Sequence, residues 1–258
     1  MAKGAQQKPA ALRDELESLA REQGADYFGI ADLSPAREFV GSQGGSIAAG
    51  FPRAISIGTR LFDGLVEMVE PKTPFRISPY VHHIYNIITP RLDDISLNLA
   101  RALRKKGYDA LPVPHGMSGP NISLLSYKLP ANLAGHGWIG KSCLLITPDD
   151  GPRVRFSAVL TDAPLATGRP MEERCGDCTI CVDACPVKAF TGRAFRADEP
   201  REARFDPVKC ARFRGNDRRY KTTPDKQDKQ DKKDKKAPQV YACGMCVKVC
   251  PYGKPEPK

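Results

Sequence analysis

Several things are scarce in this 258-residue chain, and each scarcity narrows its role. No apolar run approaches the length of a membrane span, so no spanning helix is expected. The opening residues Met1 to Pro9 are polar and lack the apolar stretch of a secretory signal, which points to the cytoplasm. Aromatic residues make up 7% of the chain, with one tryptophan, Trp138. Histidine occurs four times, at His82, His83, His115 and His136.

The shortage of aromatics bears on the one feature that suggests nucleic acid, a net charge of +10. Fourteen Lys/Arg against seven Asp/Glu fall between residues 201 and 236, so most of the surplus is local. Within it, Asp225 to Lys236 contains no apolar residue, and such a run cannot offset its ordering entropy by burial. A disordered charged insertion is expected at about 215–238. Only Tyr220 could serve there as a stacking platform for bases, which makes RNA binding through this run the weakest reading.

Cysteine is plentiful, at nine residues. Cys175-Gly-Asp-Cys178-Thr-Ile-Cys181-Val-Asp-Ala-Cys185-Pro186 has the C-x2-C-x2-C-x3-C-P spacing of a [4Fe–4S] site, in which the fourth cysteine serves a second cluster. Cys243-Gly-Met-Cys246-Val-Lys-Val-Cys250-Pro251 is one ligand short, and Cys210 is the unassigned cysteine between the runs. Crossed ligation gives Cys175, Cys178, Cys181 and Cys250 to one cluster. It gives Cys185, Cys210, Cys243 and Cys246 to the other. Zinc favours two paired ligand sets, and disulfides require a secretory context, so neither matches the pattern as well. Cys143 is left over and reads as a buried core thiol. Arg174, Lys188, Lys209 and Lys248 stand close in sequence to the cluster ligands and would offset their negative charge.

Upstream, Ala10–Gln23 has helical apolar spacing and Gly24 stops it. Strands are expected at Asp26–Ala31, Ala54–Thr59 and Asp109–Val113, and a glycine-rich loop at Gly41–Gly50. A long helix spans Tyr80–Lys106, kinked or divided at Pro90. Only one of its adjacent histidines, His82 and His83, can face inward, because they lie about 100° apart around the axis. A short helix over Ser123–Leu133 is interrupted near Pro130. Cys143–Thr147 and Arg153–Thr161 read as a hairpin around Pro148-Asp-Asp-Gly-Pro152. The alternation implies an α/β (α+β) domain over residues 1–168, with a ferredoxin-like module over 169–258.

Gly135-His-Gly-Trp-Ile-Gly140-Lys141-Ser142 satisfies the P-loop expression literally. A P-loop needs a strand before it and a helix after it, and here the order is reversed, so nucleotide hydrolysis is set aside. Its glycines would instead let backbone approach a large flat cofactor, with Trp138 beside it; otherwise it is a tight turn with a core tryptophan.

Together with Leu144-Leu-Ile-Thr-Pro148, Val159-Leu-Thr-Asp-Ala-Pro-Leu165 and both cysteine runs, this block resembles the epoxyqueuosine reductase family, as a shortened, divergent member. The resemblance implies a nitroreductase-like, cobalamin-binding domain joined to a two-cluster module. It also implies a reductase whose clusters relay electrons to the corrinoid, tRNA as substrate, and a low-potential donor of flavodoxin or ferredoxin type. Cofactor contacts are expected from Gly135, His136, Gly137, Trp138, Gly140 and Lys141, in a cleft also bounded by Pro112–Ser118. That loop, Pro112-Val-Pro-His115-Gly-Met-Ser118, lacks the family's acidic proton donor, and His115 is the catalytic candidate in its place. The alternative is an electron-transfer protein serving a flavin or a partner's corrinoid, with no substrate chemistry of its own.

Overall fold

The structure, a computed structural model, describes residues 9–70, 79–115, 124–213 and 243–254. The charged insertion expected at 215–238 and the end of the Pro112–Ser118 loop lie outside these residues.

Helix α1 (Pro9–Glu22) buries Leu12, Leu16 and Ala20 and ends at Gly24, whose φ of +96° suits glycine. Strands β1 (Tyr27–Asp32) and β2 (Arg53–Arg60) flank a kinked helix α2 (Arg37–Ala49), and a short α3 (Asp63–Glu67) follows. Next comes a π-helical turn, His83–Ile88, running directly into α4 (Thr89–Lys105). Then come β3 (Ala110–Pro112), α5 (Lys128–Leu133), β4 (Trp138–Ile139), β5 (Leu145–Ile146) and β6 (Val154–Thr161). The cysteine-bearing part adds α6 (Ile180–Asp183), α7 (Pro207–Phe213) and α8 (Met245–Lys248).

Four strands form a sheet in the order β1-β2-β6-β3, and every neighbouring pair is antiparallel. The two-residue period of the strands sorts their side chains cleanly. Phe28, Ile30, Ile55, Ile57 and Val159 point into a core shared with α1 and α4. Ala31, Ala54, Ala158 and Leu160 point the other way, toward α2 and Leu125. This is a mixed α/β layer structure built on an antiparallel sheet. The buried Ser96 and Ser157 hydroxyls satisfy each other at 2.9 Å across the α4–β6 contact.

Four expectations need correction. Gly41–Gly50 is helical, with the break confined to Gly45 at φ +66°. Gly44 lies so close to the Leu124 carbonyl that a Cβ there would sit 2.4 Å away, so the glycine serves tight packing. Pro90 does not divide the long helix. It occupies the first turn of α4, where no N–H is needed, and the irregularity is the π turn before it. Pro130 lies within α5 for the same reason. The hairpin is absent: Thr147 and Gly151 bridge across the turn, yet β5 pairs with β4 while β6 pairs with β2 and β3. His83 turns inward and accepts the Phe62 N–H at 3.3 Å, while His82 faces Asn86.

The cysteine-bearing part does not stand apart from the sheet. Val247 of α8 belongs to the same core as α1 and α4. Beside it Arg153, fully buried, bonds Asp63 at 3.0 Å, Glu67, and the Lys248 carbonyl at 3.3 Å. The Lys248 ammonium returns bonds to the carbonyls of Glu67 and Val69. Removing one member of a buried ion pair strands the others. Asp63→Ala combined with Glu67→Ala would leave the fully buried Arg153 charge without a carboxylate, and the pair is therefore expected to cost about 3 kcal/mol and to lower Tm by roughly 6–10 °C. A thermal melt within a degree of the parent would show that the clamp holds nothing.

Candidate metal centre and seam cavity

The first cysteine run is a loop closed by the bond from Cys178 N–H to the Cys175 carbonyl, after which α6 carries Cys181. Gly176 adopts φ +48°, which the tight bend between the first two cysteines requires. Cys185 follows α6 and its sulfur accepts the Ala189 N–H at 3.3 Å. Cys210 sits on α7 and Cys246 on α8, entered through left-handed Gly244.

The thiols fall into two neighbourhoods. Burial, and then Cys175 and Cys178 beside it, push the Cys181 pKa up to about 11. Burial does the same to Cys250, also to about 11, with Cys181, Cys175 and Cys178 as its charged neighbours. Cys246 is raised by burial and then by Cys243, Cys210, Cys181 and Cys185. Cys181 stands near both groups, beside Cys250 and beside Cys246. Gathering so many sulfurs away from water penalises their thiolates, a penalty that a bound cationic iron core relieves. Among the described residues no three ligating side chains converge on one point as they would around a single ion. A four-iron cube offers a separate iron to each thiolate, and buried thiols with several other sulfurs as neighbours are the donor set it takes.

The Gly135–Lys141 turn packs on the first cysteine loop. The Trp138 indole N–H points at Cys175 Sγ, 3.4 Å away, and Lys141 Nζ donates to the Gly176 carbonyl at 2.6 Å. Trp138 is buried with Ile146 and Cys250, with Tyr252 edge-on and the Arg174 guanidinium over its ring. The glycines serve approaches within the chain. A Cβ on Gly137 would lie 1.9 Å from the Ile146 carbonyl, and one on Gly135 2.7 Å from that of Arg169. On Gly140 it would meet Ile146 and the Cys175 sulfur. His136 stacks on Phe156 beneath Gly29 of β1. The turn thus joins the sheet to the cysteine loop.

His115 is likewise enclosed. Its Nδ1 is 2.7 Å from Asp93 Oδ1, its Nε2 3.1 Å from the Phe156 carbonyl, and Tyr127 stacks on the ring. Burial draws its pKa down while the Asp93 and Phe156 acceptors oppose the shift. With both nitrogens engaged and the side chain 3% exposed, His115 has no free edge to offer a substrate. The catalytic expectation for it gives way to a structural position. Its Asp93 partner, one turn along α4 from the buried Thr89, carried no signal in the sequence.

A cavity of about 900 Å³ opens instead at the seam between α2, α5 and the segment 195–204 of the cysteine-bearing part. Ile139 and Cys143 line it, whereas Gly135, His136, Gly137, Trp138, Gly140, Lys141 and His115 do not. Gln43, Lys128, Asn132, Phe195 and Arg204 supply its mixed polar and apolar wall. Two buried polar atoms on that wall lack hydrogen-bond partners, Arg204 Nε and Glu199 Oε2. Its volume is near the upper end of ordinary small-molecule sites, which favour such seams.

Two measurements check this geometry. Cys210→Ser is expected to lower iron in anaerobic protein from about eight to about four atoms per chain, and an unchanged count contradicts the assignment. His136 is held neutral by burial, which pulls its pKa to about 4 against a weaker opposing bond to the Ser56 backbone. Between pH 6.5 and 4 the unfolded chain takes up a proton that the folded chain refuses, so this residue costs about 3 kcal/mol of stability on acidification. His136→Phe should flatten the denaturant midpoint over that interval, and an identical slope in parent and variant would rule this out.

Comparison with known proteins reaches both the sheet and the cysteine-bearing part. Residues 174–253 match the 4Fe-4S double cluster binding domain family. The epoxyqueuosine reductase of Bacillus cereus is 31% identical over 130 residues, covering 50% of this chain and 30% of that protein. That of Bacillus subtilis is 29% identical over 130 residues, with the same coverage. The match therefore spans under a third of the length of these curated relatives. A catabolic reductive dehalogenase superposes on 98% of this chain and 33% of its own, with a TM-score of 0.70 and 21% identity. A selenomethionine-labelled epoxyqueuosine reductase superposes on 95% of this chain and 66% of its own, with a TM-score of 0.60 and 20% identity. In sequence over half its length, and in fold over nearly all of it, the chain is similar to the epoxyqueuosine reductases.

Proposed function

We propose that this protein is an iron–sulfur reductase that binds a corrinoid, cobalamin, in the seam cavity. The division of labour falls at 168/169, with a nitroreductase-like scaffold before it and the double-cluster module after it. The observation that carries the reading is the cavity itself. It lies where the sheet domain meets the module, and Lys128 on its wall is near enough to feel Cys246 of the second set. Cys175, Cys178, Cys181 and Cys250 hold one cluster, and Cys185, Cys210, Cys243 and Cys246 the other. Bound here, these groups supply low-potential one-electron chemistry.

The chain's own residues bind and shield. Gln43 already donates order to the wall by accepting the Ser126 N–H, and Asn132 donates to the Gly137 carbonyl. Leu129, Ile139 and Phe195 give the apolar contact that a large ring system needs. Trp138 and Lys141 fix the first cysteine loop against the sheet, so that the cluster ligands and the cavity keep one relative geometry. A low-potential donor of flavodoxin or ferredoxin type would feed the clusters, and no described helix is long and apolar enough to cross a membrane. One epoxyqueuosine reductase structure contains a modified tRNA stem loop, and tRNA is the substrate we carry over from that relative.

The enclosed His115 favours a second reading, an electron-transfer protein that leaves proton chemistry to a partner. Spectra decide between them. Anaerobic protein with both clusters is expected to take up hydroxocobalamin at micromolar concentration and retain it through gel filtration, with flavin mononucleotide passing free. Retention of the flavin alone, or of neither, would transfer the assignment to the electron-transfer protein.

A further inference from the structure

The seam cavity has an unbalanced electrostatic wall. Lys128 and Arg204 both line it, and neither makes an ion pair with a carboxylate among the described residues. Lys128 Nζ donates to one neutral partner, the Cys143 carbonyl, at 2.6 Å. Arg204 is 7% exposed, lies over the Phe195 ring at 4.6 Å, and leaves its Nε unpartnered. The two cations are close enough that burial, and then repulsion from Arg201 and Arg204, draw the Lys128 pKa down.

Four cations, Arg37, Lys128, Arg201 and Arg204, line the wall against three carboxylates, Glu38 on α2 and Asp198 and Glu199 beside Arg204, and the last two are committed elsewhere. Asp198 pairs with Arg196 at 2.8 Å, and Glu199 Oε1 pairs with Arg193 at 2.8 Å. Glu202, next to the wall, is held by Arg201 at 2.7 Å. Glu199 Oε2 remains buried without a donor. A desolvated surplus of positive charge is costly unless an anion meets it. The wall therefore calls for a ligand carrying an anion at Arg204 and Lys128, with N–H groups within reach of Glu199.

We propose that Arg204 and Lys128, backed by Arg201, form an anion subsite that takes a phosphate ester. The identification of the ester rests on the corrinoid reading above: it is the phosphate of the corrinoid's nucleotide loop, and the ring's peripheral amides supply the N–H groups. The protein then selects complete corrinoids over those lacking the phosphate. Arginine suits this task because its planar fork matches phosphate oxygens in pairs.

The test uses a series of three ligands on clustered, anaerobic protein: cobinamide, cobinamide phosphate and cobalamin. Wild-type protein is expected to bind cobinamide phosphate about tenfold or more tightly than cobinamide, the effect of one or two charge-assisted hydrogen bonds. Arg204→Leu, which keeps an apolar contact on Phe195, should shrink that ratio to about threefold or less while leaving the cobinamide Kd in place. Arg204→Lys should restore part of it, and Lys128→Met should behave as Arg204→Leu does. Iron content and circular dichroism identify any variant that fails to fold. Equal binding of the two cobinamides by wild-type protein overturns the proposal, as does a ratio that survives both substitutions. The latter outcome would assign the two cations to balancing the charge of the second cluster. If no corrinoid binds wild-type protein, the corrinoid reading falls and inorganic phosphate becomes the probe. Phosphate binding abolished by Arg204→Leu then upholds the subsite, and the absence of phosphate binding sinks it.

Discussion

Everything in this molecule depends on bringing the end of the chain back to the sheet. On the proposed ligation the second cysteine set takes members from Cys185 to Cys246 and the first is completed by Cys250, so neither would assemble until α8 is seated. The seat is built from unlike forces. Val247 enters the main core, Arg153 spends its buried charge on Asp63, Glu67 and the Lys248 carbonyl, and Lys248 answers with bonds to Glu67 and Val69. Close backbone contact completes it: a Cβ on Gly151 would lie 2.0 Å from the Tyr252 carbonyl. Charge, packing and glycine act on one short stretch.

The same return explains the character of the Gly135–Lys141 block. A sequence with three glycines around one tryptophan suggests a cradle for something flat. Its neighbours are the Ile146 and Arg169 carbonyls and the Cys175 sulfur, and the tryptophan is the wedge between the two cysteine runs. The indole N–H directed at Cys175 also places a hydrogen-bond donor on a thiolate, one of the levers that set a cluster's potential. A block that looks like a binding loop in one dimension is here a joint.

Much of the scaffold was legible in the sequence because its signals are local. Leu12, Leu16 and Ala20 mark α1, and the alternation of Ile55 and Ile57 marks β2, so periodicity found both. The cysteine spacing marked the double-cluster module, which the family match covers. The misreadings share a cause, which is partnership with distant residues. Gly44 reads as a loop residue until the Leu124 carbonyl is seen against it, and β5 reads as half of a hairpin until Trp138 claims it. His115 reads as a proton donor until Asp93 and Phe156 occupy its ring. The cavity was hidden for the same reason: Gln43, Lys128 and Arg204 are scattered over 160 positions and share no motif.

The seating of Val247 also has a temporal side. Contacts between Lys248 and Glu67 link residues 181 positions apart, so the main core stays open along one flank until Lys248 has left the ribosome. During that interval the apolar faces of α1 and α4 lie partly uncovered, and the late cysteines are still absent from both sets. On the proposed ligation, the seating of α8, the closing of the core and the completion of the iron sites are a single event.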